Sequence, residues 1–285
     1  MFRLLSSNEM LLHRQSEFLQ VQVMASVVHL MYHELELRGR ALCQGEPGYV
    51  RYVLPVKSFE SQLEWLKTDG WRGVNVSEAL LFPKGSAVAL TFDDGSESDV
   101  LAAAPILNHF GFGATFYITT GFLNRRGYLS SEQLRELSRA GFEIGCHSMT
   151  HAYLPDLQEA EIVQEVVTAK ERLEDIIGKA VEHFSCPGGR YNARVQLVAR
   201  RGGYRTLSTS LIRANRPTTD PFELGRVAIM RNTSFDGFQR ICRNQGLWRM
   251  RAGCGMRAAA KKVVGNSFYD TLRALILGQH KVSST

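Results

Sequence analysis

Short apolar runs recur along this chain with room for one helix between successive runs, and no other feature narrows the fold as far. Val27–Tyr32, Ala87–Phe92, Gly113–Ile118, Phe142–Cys146 and Val181–Cys186 are short and rich in β-branched and aromatic side chains, the pattern of buried strands. The intervening stretches carry helical spacing. Ser58 is placed to cap a helix with Phe59, Leu63 and Leu66 on one face and Gly70 beyond its end. A helix over 99–110 ends at Gly111. Ser130 opens another with Leu134 and Leu137 inward, stopped at Gly141, and 158–177 carries Ile162, Val166, Ala169, Leu173 and Ile176 at helical intervals. A helix near 192–201 and strands near 204–209 and 223–229 complete the series. Repeated β-α units of this length predict an α/β fold, a parallel sheet with helices outside, closed or nearly closed into a barrel.

In such barrels the chemistry sits at the C-terminal ends of the strands. His33, Asp93-Asp94, His147 and Gly188 each fall just after a predicted strand, so four separate segments deliver groups to one rim. One carboxylate and two imidazoles suffice to hold a divalent transition metal with positions left open. The second carboxylate is then free for proton transfer. His147 and His151 stand four apart, which on a helical turn puts both rings on one face. Taken singly, Asp-Asp-Gly suits an ordinary tight turn and two histidines suit a core or surface role. It is the combination that points to hydrolysis.

The chain looks like the polysaccharide deacetylases, the NodB-homology carbohydrate esterases. The resemblance covers roughly 24–230 and rests on Leu30-Met31-Tyr32-His33, Thr91-Phe92-Asp93-Asp94-Gly95, Ala114-Thr115-Phe116, His147-Ser148-Met149-Thr150-His151 and Phe184-Ser185-Cys186-Pro187-Gly188-Gly189-Arg190-Tyr191. It implies a distorted (β/α) barrel and metal-dependent removal of N-acyl groups, usually acetyl from an N-acetylated amino sugar. By motif, Asp93 becomes the general base, Asp94, His147 and His151 the metal ligands, and the Gly188 N–H a donor to the oxyanion. Pro187 and Arg190 fall on the substrate side. Zinc is the default ion, with cobalt, nickel or iron compatible with the same ligands. The late histidine that usually protonates the leaving amine is missing, since no histidine lies between His183 and His280. His33 is read as its replacement in a circularly permuted member whose last strand has moved to the front. A packing role beside Tyr32 is the alternative.

Three departures stand out. Gly188 occupies the place of an aromatic and so removes a wall of the sugar pocket. The arginine that orients the base is absent, with Phe184 near its position; Arg190 or Arg226 could serve in its place, but a surface salt bridge is the expected role for either. A fourth Asp-x-x-Asp-Trp motif is not found, and Trp248 lies in the basic tail. Cys146 and Cys186 flank the site and read as packed thiols rather than ligands.

The 285 residues suffice for one large domain with an appendage. The expected division is an extension at 1–24, the barrel at 25–235 and a basic appendage at 236–285. From Arg240 onward there are nine Lys/Arg against one acid, more than the whole formal excess of +6. Such a segment suits either an anionic membrane surface or a helical appendage with a solvated basic face. Nucleic acid is not expected as a partner, because no binding module accompanies the charge. Five scattered cysteines, no apolar leader and no membrane-length run predict a cytoplasmic chain, peripheral at the inner membrane face. The expected substrate is an N-acetylated glycan or a lipid-linked sugar precursor. Hydrolysis of another C–N bond, in a formamide or ureide, and a catalytically silent glycan- or membrane-binding protein are the alternatives.

Overall fold

The computed structural model describes residues 26–252. The expected extension at 1–24 and the tail beyond 252 lie outside the described residues. The strands are β1 (Val28–Tyr32), β2 (Leu35–Glu36), β3 (Leu54–Pro55), β4 (Arg72–Val74), β5 (Ala87–Phe92), β6 (Thr115–Ile118), β7 (Glu143–Cys146), β8 (His183–Ser185), β9 (Thr206–Ser208) and β10 (Val227–Ala228). Eight form one sheet in the order β10-β1-β5-β6-β7-β8-β9, with β4 also on β5, and β2 and β3 form a separate pair. Every pairing is parallel. The segment leading into β10 bonds the far edge as well: Thr209 N donates to Leu224 O at 2.8 Å and Leu224 N to Leu207 O at 3.0 Å. A single stretch, Leu224 to Ala228, therefore bridges β9 and β1 and curls the sheet toward closure.

Alternation along each strand separates two interiors. Val88, Leu90, Phe92, Phe116, Ile118, Ile144, Cys146 and Phe184 are buried under the surrounding helices. The other face is polar and equally buried, and its side chains bond across the barrel. Tyr117 Oη and Ser208 Oγ are 2.9 Å apart. His183 Nδ1 meets Thr206 Oγ1 at 2.9 Å, and its Nε2 meets Ser77 Oγ at 2.8 Å. Glu143 accepts from Thr115 Oγ1 and from the Val76 and Ser77 amides. The polar column is thus paired nearly throughout, as burial demands, although His29 Nδ1 has no partner among the described residues.

The helices follow the expected faces with local changes. Helix Val56–Thr68 buries Phe59, Leu63 and Leu66, but it starts after Pro55, so Ser58 lies inside it rather than capping it. Ser130 does cap Ser131–Arg139, in a reciprocal box with Gln133. The 99–110 and 158–177 helices each contain a π-type stretch, Asp99–Ala103 and Gln164–Thr168. β4 was not expected from sequence; Arg72–Val74 is too short, and contains a glycine, to read as a strand. Helix Phe235–Cys242 belongs to the barrel unit, which runs to Asn244, and Phe238 packs edge-on against Trp65 at 5.8 Å. The expected boundary at 235 therefore falls inside a helix of that unit. No helix among the described residues is long and apolar enough to cross a membrane.

Gly145 is required by close approach. A Cβ there would stand 2.4 Å from the Tyr117 ring, which crosses the lumen at this level. Gly145→Ala should lower stability by about 1–3 kcal/mol through overpacking, measured by urea denaturation. An unchanged midpoint would mean that the lumen is looser than the Tyr117 packing indicates.

Candidate active site

The loops that follow β5 and β7 bring the two motifs together. Asp94 Oδ1 lies 3.5 Å from His147 Nε2 and 3.4 Å from His151 Nε2. These three donors converge within 4.8 Å of one another. Asp94 Oδ1 is buried with no hydrogen-bond partner among the described residues. His147 Nδ1 lies 2.8 Å from Ser185 O, so that nitrogen carries the proton and the Nε2 lone pair faces Asp94. An orphaned carboxylate oxygen beside two imidazole nitrogens is a donor set that fits a divalent cation. Burial lowers the His147 pKa to about 3 and raises that of Asp94 to about 6, the Asp93 charge adding to the latter. The histidine is therefore in its neutral, ligating form.

The two histidines do not share a helical turn as expected. Residues 147–151 form a loop in which Ser148 (φ 67°) and His151 (φ 65°) adopt left-handed backbone. That conformation is costly for side-chain-bearing residues and needs support from its surroundings. Glu165, buried in the π-type stretch, supplies it by accepting from the Met149 N–H at 2.9 Å, the Thr150 N–H at 2.8 Å and the Thr150 hydroxyl. Ser148 Oγ accepts from the His151 N–H at 3.0 Å.

Asp93 has different neighbours from Asp94. Arg226 clamps it with two parallel bonds, Nη1 to Oδ1 at 2.7 Å and Nη2 to Oδ2 at 2.8 Å. The same guanidinium donates to Ser185 Oγ at 2.7 Å and to Thr209 O at 3.2 Å. Arg226 is fully buried, which corrects the expectation of a surface salt bridge. It stands just before β10, on the segment that bridges the barrel edges, and so enters the lumen from a place the motif did not mark. Burial pushes the Asp93 carboxyl up, but the Arg226 charge and hydrogen bonds, with His147, hold it well below the usual range.

His33 follows β1, its ring 4.6 Å from that of Tyr52. Burial lowers its pKa, opposed by the charges of Asp94 and Asp93, and its Nδ1 has no partner among the described residues. The next residue, Glu34, is buried and fastens the following loop through the Cys43 N–H, Tyr49 Oη and Arg40. Pro187 is buried and Gly188 is exposed at φ 59°. The missing wall at Gly188 is not vacant: Tyr153 Cε1 lies 2.9 Å from where a Gly188 Cβ would stand. Among the described residues Arg190 has no salt-bridge partner; it is exposed and lies over the Tyr153 ring at 4.1 Å. Cys146 and Cys186 are fully buried free thiols whose pKa burial raises, that of Cys146 to about 12, in keeping with packing.

Residues 83–207 match the polysaccharide deacetylase family model. This stretch is similar to the polysaccharide deacetylases. The matched stretch contains Asp93, Asp94, His147, His151 and Gly188; His33 and Arg226 fall outside it. The YxkH protein of Bacillus subtilis (strain 168) is 26% identical over 229 residues, 78% of each chain. The poly-beta-1,6-N-acetyl-D-glucosamine N-deacetylase of Staphylococcus aureus (strain MRSA252) is 26% identical over 210 residues, 67% of this chain and 71% of the relative. Among solved structures, the Streptococcus pyogenes deacetylase PplD in complex with acetate shares the fold, with TM-score 0.68 at 22% identity over 76% of this chain and 98% of that one.

Arg226→Met should cost about 3–5 kcal/mol in urea unfolding, because it leaves a buried carboxylate unpaired. Adding Asp93→Asn should recover part of that loss. Strict additivity of the two changes would show that the clamp is not the stabilising contact.

Proposed function

We propose that this chain is a metal-dependent N-deacetylase that removes acetyl from an N-acetylated amino sugar in a polysaccharide or lipid-linked glycan precursor. One observation carries the reading: two adjacent carboxylates have been given opposite surroundings. Asp94 faces two neutral imidazoles with an orphaned oxygen, whereas Asp93 is held ionised by a bidentate arginine. A structural ion cage has no use for a second, separately clamped carboxylate at its edge.

Asp94, His147 and His151 would hold the metal, with zinc the first choice and cobalt, nickel or iron alternatives for the same donors. When bound, the ion supplies Lewis acidity toward the acetamide carbonyl and toward the attacking water. Asp93 takes the proton from that water as it attacks; Arg226 fixes the carboxylate so that one oxygen faces the reacting atoms. The Gly188 N–H donates to the developing oxyanion. His33, at the same end of the neighbouring strand β1, delivers a proton to the leaving nitrogen. Burial keeps its imidazole neutral at rest; as negative charge develops on the substrate beside it, the ring takes up a proton from solvent and passes it to the leaving nitrogen, while Asp93 returns the proton it took from water to solvent as acetate leaves. Pro187 and Arg190 contact the sugar.

The likeness to a poly-beta-1,6-N-acetyl-D-glucosamine N-deacetylase supports an amino-sugar acetamide as the scissile group. A cytoplasmic position at the inner membrane face, with the basic tail on anionic lipid, belongs to the same reading.

Purified protein supplied with zinc should release acetate from N-acetylglucosamine oligomers, and a chelator should abolish this until metal is restored. His33→Ala should lower kcat by about 10²–10⁴-fold. Turnover that survives the chelator would refute the metal-dependent hydrolase. Unchanged kcat in His33→Ala would remove His33 as the acid and leave it a packing residue against Tyr52.

A further inference from the structure

Three exposed arginines stand around the site, each separated from a site residue by one aromatic ring. Arg51 Cζ is 4.6 Å from the centre of the Tyr52 ring, and that ring is 4.6 Å from the ring of His33. Arg125 Cζ is 5.5 Å from the Phe122 ring, and that ring is 6.1 Å from His151. Arg190 Cζ is 4.1 Å from the Tyr153 ring, which abuts Gly188. The three come from loops after different strands, so they approach the mouth from different sides. Among the described residues none of the three is within ion-pair distance of a carboxylate, so each guanidinium at the site is open to a ligand.

An arginine lying on an aromatic face keeps its charge and its N–H edge while its position is fixed by the ring. That edge matches a carboxylate or phosphate in a two-bond fork. Cations grouped around a site also concentrate anionic ligands there.

We infer that the substrate is an anionic glycan, in which the N-acetylated sugar carries or neighbours a carboxylate or phosphate gripped by Arg51, Arg125 and Arg190. The inference rests on the deacetylase reading for the nature of the reaction, but the binding it requires can be measured without turnover. The probes are an oligosaccharide alternating N-acetylglucosamine with a uronic acid, and the same oligosaccharide with its carboxylates reduced to primary alcohols. A second pair sets N-acetylglucosamine carrying an anomeric diphosphate against its methyl glycoside. Calorimetry on the zinc-loaded full chain should show at least one anionic member binding about tenfold or more tighter than its neutral counterpart at low salt. The preference should shrink as salt is raised. It should also collapse toward unity in the Arg51→Gln/Arg125→Gln/Arg190→Gln variant. Preference confined to the uronate pair identifies a polymer carboxylate, and preference confined to the diphosphate pair identifies a linked precursor.

Equal affinity within both pairs, or a preference that persists in the triple variant, would overturn the inference. Acetate release is followed in parallel. Acetate from neutral and charged substrates alike, with no charge preference in binding, would overturn the inference and leave the deacetylase standing. Charge-selective binding with no acetate from any substrate would do the reverse.

Discussion

The fork between Arg226 and Asp93 is the contact on which the site depends. A carboxylate at the mouth of a buried lumen would otherwise be pushed toward its protonated form. The guanidinium keeps it ionised and fixes its plane, and it reaches Asp93 only because the Leu224–Ala228 segment closes the sheet between β9 and β1. Barrel closure and the clamping of Asp93 therefore go together in this fold. The polar lumen is the second half of the same arrangement: Ser185, Thr91 and Thr209 give the remaining guanidinium protons their acceptors.

The Asp94, His147 and His151 cluster, the candidate metal site, relies on strained loop backbone instead. Asp94 (φ 79°), Ser148 and His151 all sit in left-handed conformations. Side-chain-bearing residues remain there only when neighbours hold them. Glu165 and the Ser148 hydroxyl hold the histidine loop; β5 and Gly95 bracket Asp94. The site is thus rigid where ions and protons must be placed. At its rim, Tyr153 covers the gap left at Gly188 and carries a cation on its outer face.

Much of this was legible in the sequence, for identifiable reasons. The buried strands β5, β6 and β7 are continuous apolar runs, so their ends, and with them Asp93, Asp94 and His147, could be placed. The pairing of His147 with His151 was foreseen for the wrong reason, because a helical turn and a loop with two left-handed residues give the same four-residue spacing. Arg226 was considered and assigned to the surface. It precedes a strand of two residues, and only the long-range pairing of that strand with β1 turns the side chain inward. Glu165 was not singled out from the sequence; the π-type stretch that carries it has no simple sequence signature. Tyr153 was invisible because its role depends on a glycine thirty-five positions later in the chain.

The central claim is that two neighbouring aspartates do different work, and it is tested by measuring bound zinc and acetate release together in wild type, Asp93→Asn and Asp94→Asn. The account predicts one ion per chain in wild type and in Asp93→Asn, with turnover lost in the latter. In Asp94→Asn the ion itself should be lost. Loss of metal in Asp93→Asn, or retention of both metal and turnover in Asp94→Asn, would contradict it.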